Sequence, residues 1–430
     1  MGLVIIVFLV LLFLGMPVAF TIGISGTLFF LQNTGLPMTM IVQLPISQTQ
    51  NPAMLAIPLF IFAGNIMNEA GLTARLVELA TLLTRGMRGG MAQVSVVLSA
   101  LMGGVSGSAT ADATMEARIL GPDMKKRGYA DGYTANVISW TSLITATIPP
   151  GIGIIIYGTV GEVSIGRLFM AGFFMGIVMM IMLMVTVSLT AKHYGFEITT
   201  HEKRATPREL LASLRTTVWA LMFPILLLVG IRMGLFTPSE VGSFACVYGL
   251  AVGLLVYKEL SWERFKHCLM VSIRDIGAIM LIMAMSGIFG YGIPYDQVPQ
   301  KVTAFITGIS SNPYVVMIII VLALTILGMF MEGSVTILLL TPIFLPLVKS
   351  LGVDPVHFGL IMCTTVTMGL NTPPVGISMY AVNSVLECPS AQYIRYMWPF
   401  IFTVLLEITL MIFIPDAMLF LPNLLYGRGA

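Results

Sequence analysis

Long apolar runs, separated by short polar or proline-rich segments, make up most of this 430-residue chain. The runs at 165–189 and 218–231, for example, contain no acidic residue. Uninterrupted apolar stretches of this kind are typical of membrane-spanning helices, because every backbone polar group can then be bonded within the helix. The pattern therefore predicts an all-α integral membrane protein.

The polar positions divide the chain into two halves, 1–190 and 217–430, on either side of a basic segment at 191–216. Pro149-Pro150 recurs as Pro373-Pro374, and Pro122 as Pro342, at an offset of roughly 220–226 residues. About five crossings are predicted in the first half at 2–15, 18–31, 53–67, 135–158 and 165–190, and in the second at 218–234, 241–257, 273–291, 358–383 and 398–421. An odd number of crossings per half predicts two inverted-topology repeats.

Charged residues predict how these segments are oriented. Arg85 and Arg88 precede the apolar segment 89–124, and further basic residues lie at its end. By the positive-inside rule both ends of that segment lie in the cytoplasm, so the chain must turn back between them. The segment is predicted to form a re-entrant helical hairpin, and 312–349 is predicted to be its counterpart on the outer side. The basic segment 191–216 is predicted to be a cytoplasmic connecting loop.

Two amphipathic segments accompany these elements, at 69–84 and 261–268. Both mix charged and apolar residues at helical spacing, which is typical of helices that lie along a membrane surface. An ordinary extension of a neighbouring membrane helix fits the same pattern.

Each half also contains an apolar segment that is interrupted by a Pro-Pro pair. Proline lacks an N–H group and clashes with the preceding turn, so the pair cannot lie within a straight helix. Freed carbonyls at membrane depth need partners or a polar cavity. Broken helices are therefore predicted at 132–160 and 357–385. Interrupted helices at matching positions of two halves indicate the binding site of a transporter.

The predicted hairpin tips are rich in Gly, Ser and Thr, and each is paired with one Pro-Pro break. Hydroxyl and unwound carbonyl oxygens at such places can replace the water around a Na⁺ ion. The first predicted Na⁺ site comprises Ser106, Gly107, Ser108, Thr110, Asp112, Thr147 and Pro149. The second comprises Gly328, Glu332, Gly333, Ser334, Thr336, Asn371, Thr372 and Pro373.

Structural roles are the alternative for the same residues. Small and hydroxylated residues also let membrane helices approach closely, and Asp112 could cap the second limb of its hairpin. Asp112 and Glu332 nevertheless lie within apolar stretches, where an ionised group is costly and usually functional. Glu407, midway along the last long apolar run, is predicted to pair within a helix interface.

A substrate cavity is predicted where the two breaks meet the tips. Half-helices that begin after the prolines present free N–H groups, which favour anionic ligands. The predicted lining is Ser108, Pro150, Gly151, Pro374 and Gly376. No arginine falls inside this predicted cavity, so a carboxylate would be recognised by backbone and hydroxyl donors.

Composition excludes several other classes of function. The chain is 57% hydrophobic and 10% charged, with a net charge of +2 and no basic, aromatic-rich surface segment, so no nucleic-acid partner is predicted. Its four cysteines have no metal-site spacing, and it has no P-loop motif for binding ATP. The apolar start of the chain is predicted to be a retained first span rather than a signal peptide.

Five motifs carry a resemblance to a known family. They are GVSGSATAD at 104–112, IPPG at 148–151, GLNTPPVG at 369–376, AIPLFIFAGN at 56–65 and FTPSE at 236–240. In combination they resemble the large membrane subunit of tripartite ATP-independent periplasmic (TRAP) transporters, over essentially the whole chain.

The resemblance implies Na⁺-coupled uptake of a carboxylated metabolite, such as sialic acid or a C4-dicarboxylate, across the bacterial cytoplasmic (inner) membrane. It implies a periplasmic substrate-binding protein and a separate small four-helix membrane subunit as partners. It also implies an elevator-type mechanism, with 89–161 and 312–385 in the moving domain. Neither enzymatic activity nor a cofactor is implied, and Na⁺ serves as the coupling ion.

Two other interpretations remain open from the residues alone. A standalone divalent-anion/Na⁺ symporter would share the hairpins and the inverted repeats. An intramembrane serine protease would use Ser106 of the GVSG sequence as nucleophile and would need His357, the one histidine near a helix, as base. The choice among carboxylated substrates is left open by the sequence.

Overall fold

A computed structural model describes residues 1–50, 52–196 and 205–427 of the chain. Every regular element in these ranges is helical. The first half contains α1 (Gly2–Phe13), α2 (Val18–Gln32), α3 (Met40–Thr49), α4 (Ala56–Glu69), α5 (Leu72–Thr84), α6 (Gly90–Gly103), α7 (Ala109–Lys126), α8 (Asp131–Thr147), α9 (Ile152–Val160) and α10 (Ile165–Tyr194). The second contains α11 (Pro207–Arg232), α12 (Pro238–Ala251), α13 (Trp262–Tyr295), α14 (Val298–Ile309), α15 (Pro313–Phe330), α16 (Gly333–Ser350), α17 (Pro355–Gly369), α18 (Ile377–Leu386), α19 (Ser390–Phe413) and α20 (Pro415–Tyr426).

Seven helices of the described chain are long and apolar enough to cross a membrane, or eight if α8 and α9 are counted as one bent span. The seven are α10, α11, α12 with the π-helical turn that follows it, α13, α15, α16 and α19. The expectation of a multi-pass all-α membrane protein is confirmed. Length and composition support fewer than the ten crossings predicted, because runs such as Gly2–Phe13 and Val18–Gln32 form helices of only 12 and 15 residues.

The order of elements is repeated in the two halves. A short helix (α5 or α14) precedes a pair of helices joined by a tight turn, then two half-helices, then a long helix (α10 or α19). We call the helix pairs hairpin 1 (α6–α7) and hairpin 2 (α15–α16). They coincide closely with the segments 89–124 and 312–349 that were predicted to form hairpins. The opposite orientation of the two halves stays a prediction.

Both hairpins turn at a residue whose side chain caps the second limb. In hairpin 1 the Ser108 hydroxyl accepts a hydrogen bond from Ala111 N at 3.5 Å, and in hairpin 2 the Glu332 carboxylate accepts one from Val335 N at 3.2 Å. Such caps satisfy N–H groups that have no partner within the helix. Each sequence thereby specifies where its second limb begins.

The proline pairs end a helix in both halves. α8 stops at Thr147 and α9 begins at Ile152, with a bend of 42° between their axes. α17 stops at Gly369 and α18 begins at Ile377. Both Pro-Pro peptide bonds are cis. These half-helices occupy the predicted segments 132–160 and 357–385.

The structure differs from the sequence-based expectation at the polar segments. Residues 261–268 do not form a separate surface helix: Ser261 caps α13, which continues for 34 residues. Residues 191–216 are not all loop, since α10 extends to Tyr194 and a capping box at Thr206 starts α11 at Pro207; positions 197–204 lie outside the described residues. The run 398–421 is divided at Pro415, where α20 begins.

The centre of the molecule is formed by α8 and α17, whose side chains are almost all buried. α6 and α7 pack on α8, and α15 and α16 pack on α17. Helices at the periphery expose large apolar side chains, among them Leu14, Phe402 and Leu424. An apolar exterior around a core that contains many Ser and Thr side chains is the arrangement expected in lipid.

Candidate functional site: two hairpin tips against two helix breaks

The tip of hairpin 1 is in direct contact with the first helix break. Gly107 O accepts a hydrogen bond from Ile152 N, the first residue of α9, at 3.3 Å. Gly107 has φ of +68°, and a Cβ added there would overlap with the Pro150 carbonyl oxygen. Glycine is therefore needed both for the backbone conformation and for the close approach.

The tip of hairpin 2 meets the second break in the same way. Gly376 N donates to Met329 O at 3.0 Å. A Cβ on Gly369 would come within 2.6 Å of the backbone of Gly328. In both halves a hairpin tip and the start of a half-helix are thus joined through backbone groups.

One threonine lies just before each Pro-Pro pair. Thr147 Oγ1 donates to Leu143 O at 2.8 Å, and Thr372 Oγ1 donates to Met368 O at 2.8 Å. Each is 5% exposed. A hydroxyl that gives its proton to its own helix keeps its oxygen lone pairs, so both oxygens remain able to accept or to ligate a cation.

Ser106, Ser108, Thr110 and Asp112 of the first predicted Na⁺ site line one cavity at tip 1, whereas Pro149 lies in the break between α8 and α9. Ser106 Oγ accepts from Ser108 N at 3.5 Å. Asp112 is 2% exposed, and its Oδ2 has no hydrogen-bond partner among the described residues. Since Ser108 caps α7, Asp112 is free of the capping role that the sequence left open.

Glu332 is the cap of hairpin 2 and organises its tip. Its carboxylate accepts from Ser334 Oγ at 3.1 Å as well as from Val335 N. The Thr336 hydroxyl donates to Glu332 O at 3.1 Å. Three residues of the second predicted Na⁺ site are therefore held in one capped turn.

Asn371 faces away from this turn and joins the two halves of the chain. Its Nδ2 donates to Ser139 O of α8 at 2.7 Å, and its own carbonyl accepts from Tyr393 OH at 3.0 Å. The hydrogen bond across 232 residues fixes the second break against the first broken helix.

The two tips share a small cavity of about 80 Å³. Its predicted Na⁺-site residues are Gly107, Ser108, Thr110, Glu332, Gly333 and Ser334. A larger cavity of about 440 Å³ lies between tip 1 and the helices α4 and α13. Ser108 lines both cavities, whereas Pro150, Gly151, Pro374 and Gly376 are not among their lining residues. Gly151 and Gly376 do stand at the starts of α9 and α18.

Residues that the sequence analysis did not select form the opposite wall of the larger cavity, which we call the α4–α13 wall. They include Asn65 and Asn68 of α4 and Asp275 of α13. Asn65 Nδ2 lies 3.0 Å from Ser272 Oγ and 3.4 Å from Asp275 Oδ2. The available signal was polar side chains within apolar helices, with the two asparagines three residues apart on one helix face.

A further buried carboxylate joins the limbs of hairpin 1. Glu116 of α7 is 0% exposed and accepts hydrogen bonds from Ser95 Oγ at 2.6 Å and Ser99 Oγ at 2.8 Å. Both serines belong to α6. Glu116 therefore holds the two limbs of the hairpin together from inside.

The position of His357 does not support the protease interpretation, which requires this histidine to act as a base on Ser106. His357 Nε2 lies 2.7 Å from Met411 O, in a buried contact between α17 and α19. Ser106 is engaged with the backbone of its own turn.

Comparison with known proteins assigns the chain to a family. The family model described as "Tripartite ATP-independent periplasmic transporter, DctM component" matches residues 5–417. This chain belongs to the DctM family. The expectation drawn from its motifs is confirmed, and as a DctM component it is a multi-pass transport protein of the bacterial inner membrane.

Three curated relatives match this DctM protein over nearly the full length of both chains. A putative TRAP transporter large permease protein of Haemophilus influenzae is 35% identical over 406 residues, 94% of this chain and 95% of the relative. The sialic acid TRAP transporter large permease SiaM of Vibrio cholerae is 31% identical over 97% of each chain. The C4-dicarboxylate TRAP transporter large permease DctM of Pseudomonas aeruginosa is 31% identical over 94% of each.

Among solved structures, the YdaH transporter of Alcanivorax borkumensis superposes with a TM-score of 0.59 over 86% of each chain, at 14% identity. The MtrF protein of Neisseria gonorrhoeae superposes with a TM-score of 0.58, at 13% identity. These likenesses concern the fold.

Proposed function

We propose that this DctM protein is the large membrane subunit of a Na⁺-coupled carrier that takes up a carboxylated metabolite. The observation that carries the proposal is the pairing of each hairpin tip with a helix break, through Gly107–Ile152 in one half and Met329–Gly376 in the other. Both pairs bring hydroxyl, carbonyl and carboxylate oxygens together beside a break between two helices, and broken helices coordinate ions in secondary transporters.

The two tips and breaks form the two Na⁺ sites of this proposal. Thr147 and Thr372 supply hydroxyl oxygens from the breaks, and Asp112 and Glu332 supply the negative charge at the tips. A bound cation offsets the cost of a buried carboxylate. Because both tips line the same small cavity, filling the sites would draw the two hairpins together around the cargo.

The proposed transport step is of the elevator type. The hairpins and broken helices pack into one central body, while α4 and α13 lie across the larger cavity from tip 1. The larger cavity would leave room for the hairpins and broken helices to move relative to α4 and α13. The proposed partners are a small four-helix membrane subunit and a periplasmic binding protein that delivers the cargo, as the word tripartite in the family description suggests.

Reconstitution in proteoliposomes tests this proposal. Uptake of labelled cargo is measured with an inward Na⁺ gradient, with all three components present and with each left out in turn. The proposal predicts accumulation only when the gradient and all components are present. Equal uptake without a Na⁺ gradient would contradict the coupling, and full uptake by this chain alone would favour the standalone symporter.

A further inference from the structure

A carboxyl group outside the proposed Na⁺ sites is buried without a partner. Glu407, in the middle of α19, is 0% exposed, and neither oxygen of its side chain has a hydrogen-bond partner among the described residues. None of the ion pairs that these residues form includes it. The predicted pairing of Glu407 within a helix interface is therefore wrong. An ionised carboxylate in this position would have nothing to offset the cost of its burial.

Two hydrogen bonds show how α19 lies against α17. His357 Nε2, in the first turn of α17, donates to Met411 O at 2.7 Å. Tyr393 OH, in the first turn of α19, donates to Asn371 O, just beyond the end of α17, at 3.0 Å. The two helices are therefore antiparallel. Glu407 is fourteen residues after Tyr393 and one turn before Met411, so its side chain lies on the face of α19 that is turned toward α17.

The facing side of α17 contains an unused hydroxyl group. Thr364 is seven residues after His357 and lies two turns along the same face of α17. It is 2% exposed, and its Oγ1 has no hydrogen-bond partner among the described residues. A proton bound to Glu407 would remove the charge and create an O–H donor, for which hydroxyl oxygens of this face are suitable acceptors. The interface is therefore suited to a proton as its ligand.

His357 connects this interface to the surface. Met411 O is free to accept its hydrogen bond because Pro415, four residues further on, has no N–H group. With a hydrogen on Nε2, the Nδ1 atom of His357 can take up a proton and pass it on. Asp354 caps α17 and accepts from His357 N at 3.4 Å, and its side chain is 24% exposed. Asp354, His357 and Glu407 thus form a line of titratable groups from the surface into the interface.

Few other titratable groups reach this part of the molecule. α19 packs mainly on α8, α10 and α17, with smaller contacts to α15, α18 and α20. The other titratable residue of α17 is Cys363, which lines the cavity between the hairpin tips, and that of α18 is Tyr380, which is exposed. On α8, α10, α15 and α20 such residues lie only in the first or last turn, the charged and histidine ones being Asp131, Arg167, Lys192, His193 and Asp416.

We propose that Glu407 binds a proton, that this proton is exchanged with the surface through His357, and that one proton is taken up and released in each transport cycle. Transfer breaks the N–H bond at His357 Nδ1 and forms the O–H bond on Glu407, and His357 recovers its proton from water at Asp354. Under the proposed elevator step α17 moves and α19 does not, so the shift would open or close the path. The inference goes beyond Na⁺ coupling, because it adds a second ion and uses no residue of the Na⁺ sites.

Infrared spectroscopy of the large subunit with its small subunit in nanodiscs detects the proton directly. The C=O band of a protonated carboxyl group should be present in wild type at neutral pH and should shrink as the pH rises. The difference spectrum of wild type and Glu407→Gln should contain this band. Glu263→Gln is the matched control, since Glu263 is an exposed acid in the first turn of α13, and its difference spectrum should lack the band.

His357→Gln tests the path of the proton. Its amide nitrogen can still donate to Met411 O, but the side chain cannot carry a proton. After a jump in pH, the band should change at least several-fold more slowly than in wild type, while its equilibrium size at each pH stays the same. A purely structural role of His357 would leave this rate unchanged.

Uptake in proteoliposomes tests the part of the proton in transport. Glu407→Gln is neutral at every pH and has no proton to release, so Na⁺-driven uptake should fall several-fold or more and lose the pH dependence of wild type. Glu263→Gln should transport like wild type.

The remaining outcomes overturn the inference. They are an unchanged band in Glu407→Gln, a band that no pH removes, an unchanged rate in His357→Gln, and uptake by Glu407→Gln equal to that of wild type. If Glu407→Gln fails to fold, the pH titration of the wild-type band and the rate in His357→Gln still decide. Uptake that is independent of Na⁺ in wild type would contradict the proposed function and leave the infrared result untouched.

Discussion

At the scale of single residues, Thr147 and Thr372 are the most informative pair in the chain. Each lies just before a Pro-Pro pair, and each hydroxyl donates to the carbonyl four residues earlier at 2.8 Å. Their oxygens are thereby oriented with lone pairs free, which suits a cation ligand better than a helix cap. The function of the two sites can be tested by removing these oxygens alone.

Thr147→Val and Thr372→Val should each raise the Na⁺ concentration for half-maximal uptake several-fold, because valine keeps the shape and removes one oxygen ligand. Initial rates of uptake against Na⁺ concentration measure this. Thr409→Val is the matched control, since Thr409 makes the same bond to Leu405 O on the exposed side of α19. Normal Na⁺ dependence in both site variants would move the Na⁺ sites elsewhere.

Gly107→Ala should abolish uptake. An alanine with positive φ costs about 1–2 kcal/mol wherever it lies, but at Gly107 the methyl group would also collide with Pro150 O and separate the tip from the break. Gly128→Ala distinguishes backbone strain from the collision as the cause of lost uptake. Gly128 has φ of +83° but no atom within 4 Å of an added Cβ. Uptake should survive in that variant, and equal loss in both would exclude the contact as the cause.

At the scale of elements, the two limbs of hairpin 1 are joined by a buried polar network. Glu116 joins α7 to both Ser95 and Ser99 of α6, and Ser95 also lies 2.8 Å from Thr141 Oγ1 of α8. A satisfied buried polar network of this kind fixes the relative position of three helices. Under the proposed elevator mechanism, hairpin 1 would move as one unit with the first broken helix.

Glu116→Leu should destabilise the protein by about 1–3 kcal/mol, because the buried Ser99 hydroxyl would lose its acceptor, whereas the Ser95 hydroxyl keeps Thr141 Oγ1 as a partner. Glu116→Gln keeps a carbonyl acceptor of the same shape and should lose much less. Thermal unfolding in detergent compares the two variants with wild type. Equal melting temperatures for Leu and wild type would show that this network does not hold the limbs together.

The contact between hairpin 1 and the α4–α13 wall is made at Gly64. A Cβ on Gly64 would come within 3.1 Å of Val105 O at the tip. Gly64→Val should therefore disfavour this arrangement and slow uptake, while the Na⁺ concentration for half-maximal uptake stays unchanged. Gly277→Val of α13 is the control, since nothing lies within 4 Å of a Cβ there. A normal rate in Gly64→Val would exclude a moving contact at this point.

The sequence predicted those elements whose boundaries interrupt an apolar run. The hairpin tips and the two breaks were visible because Gly, Ser and Pro have local conformational consequences that need no knowledge of the fold. The length of α13 was not visible, because its first turns are amphipathic and only the cap at Ser261 and the packing that follows make them one helix.

The sequence predicted the part of the candidate site formed by the hairpin tips and helix breaks, but not the α4–α13 wall. Asn65 and Asp275 lie 210 residues apart in the chain and become neighbours only through the packing of α4 on α13. The turn of Asn371 toward α8 likewise depends on how the halves meet. Contacts between distant elements have no signature in the periodicity of one sequence.

At the scale of the whole molecule, the two proposed Na⁺ sites meet at one cavity. Each hairpin tip contacts the helix break of its own half. Residues of both tips nevertheless line the same cavity of about 80 Å³. A ligand held there would be sensed by both halves. Two cation sites that share a cargo cavity are expected to be coupled to one another through that cargo.

The most direct test is the dependence of initial uptake rate on Na⁺ concentration in proteoliposomes that contain the three components. The account predicts a sigmoidal curve, with a Hill coefficient above one, that becomes hyperbolic when either Thr147→Val or Thr372→Val disables one site. A rate independent of Na⁺, or a curve that neither variant changes, would contradict it.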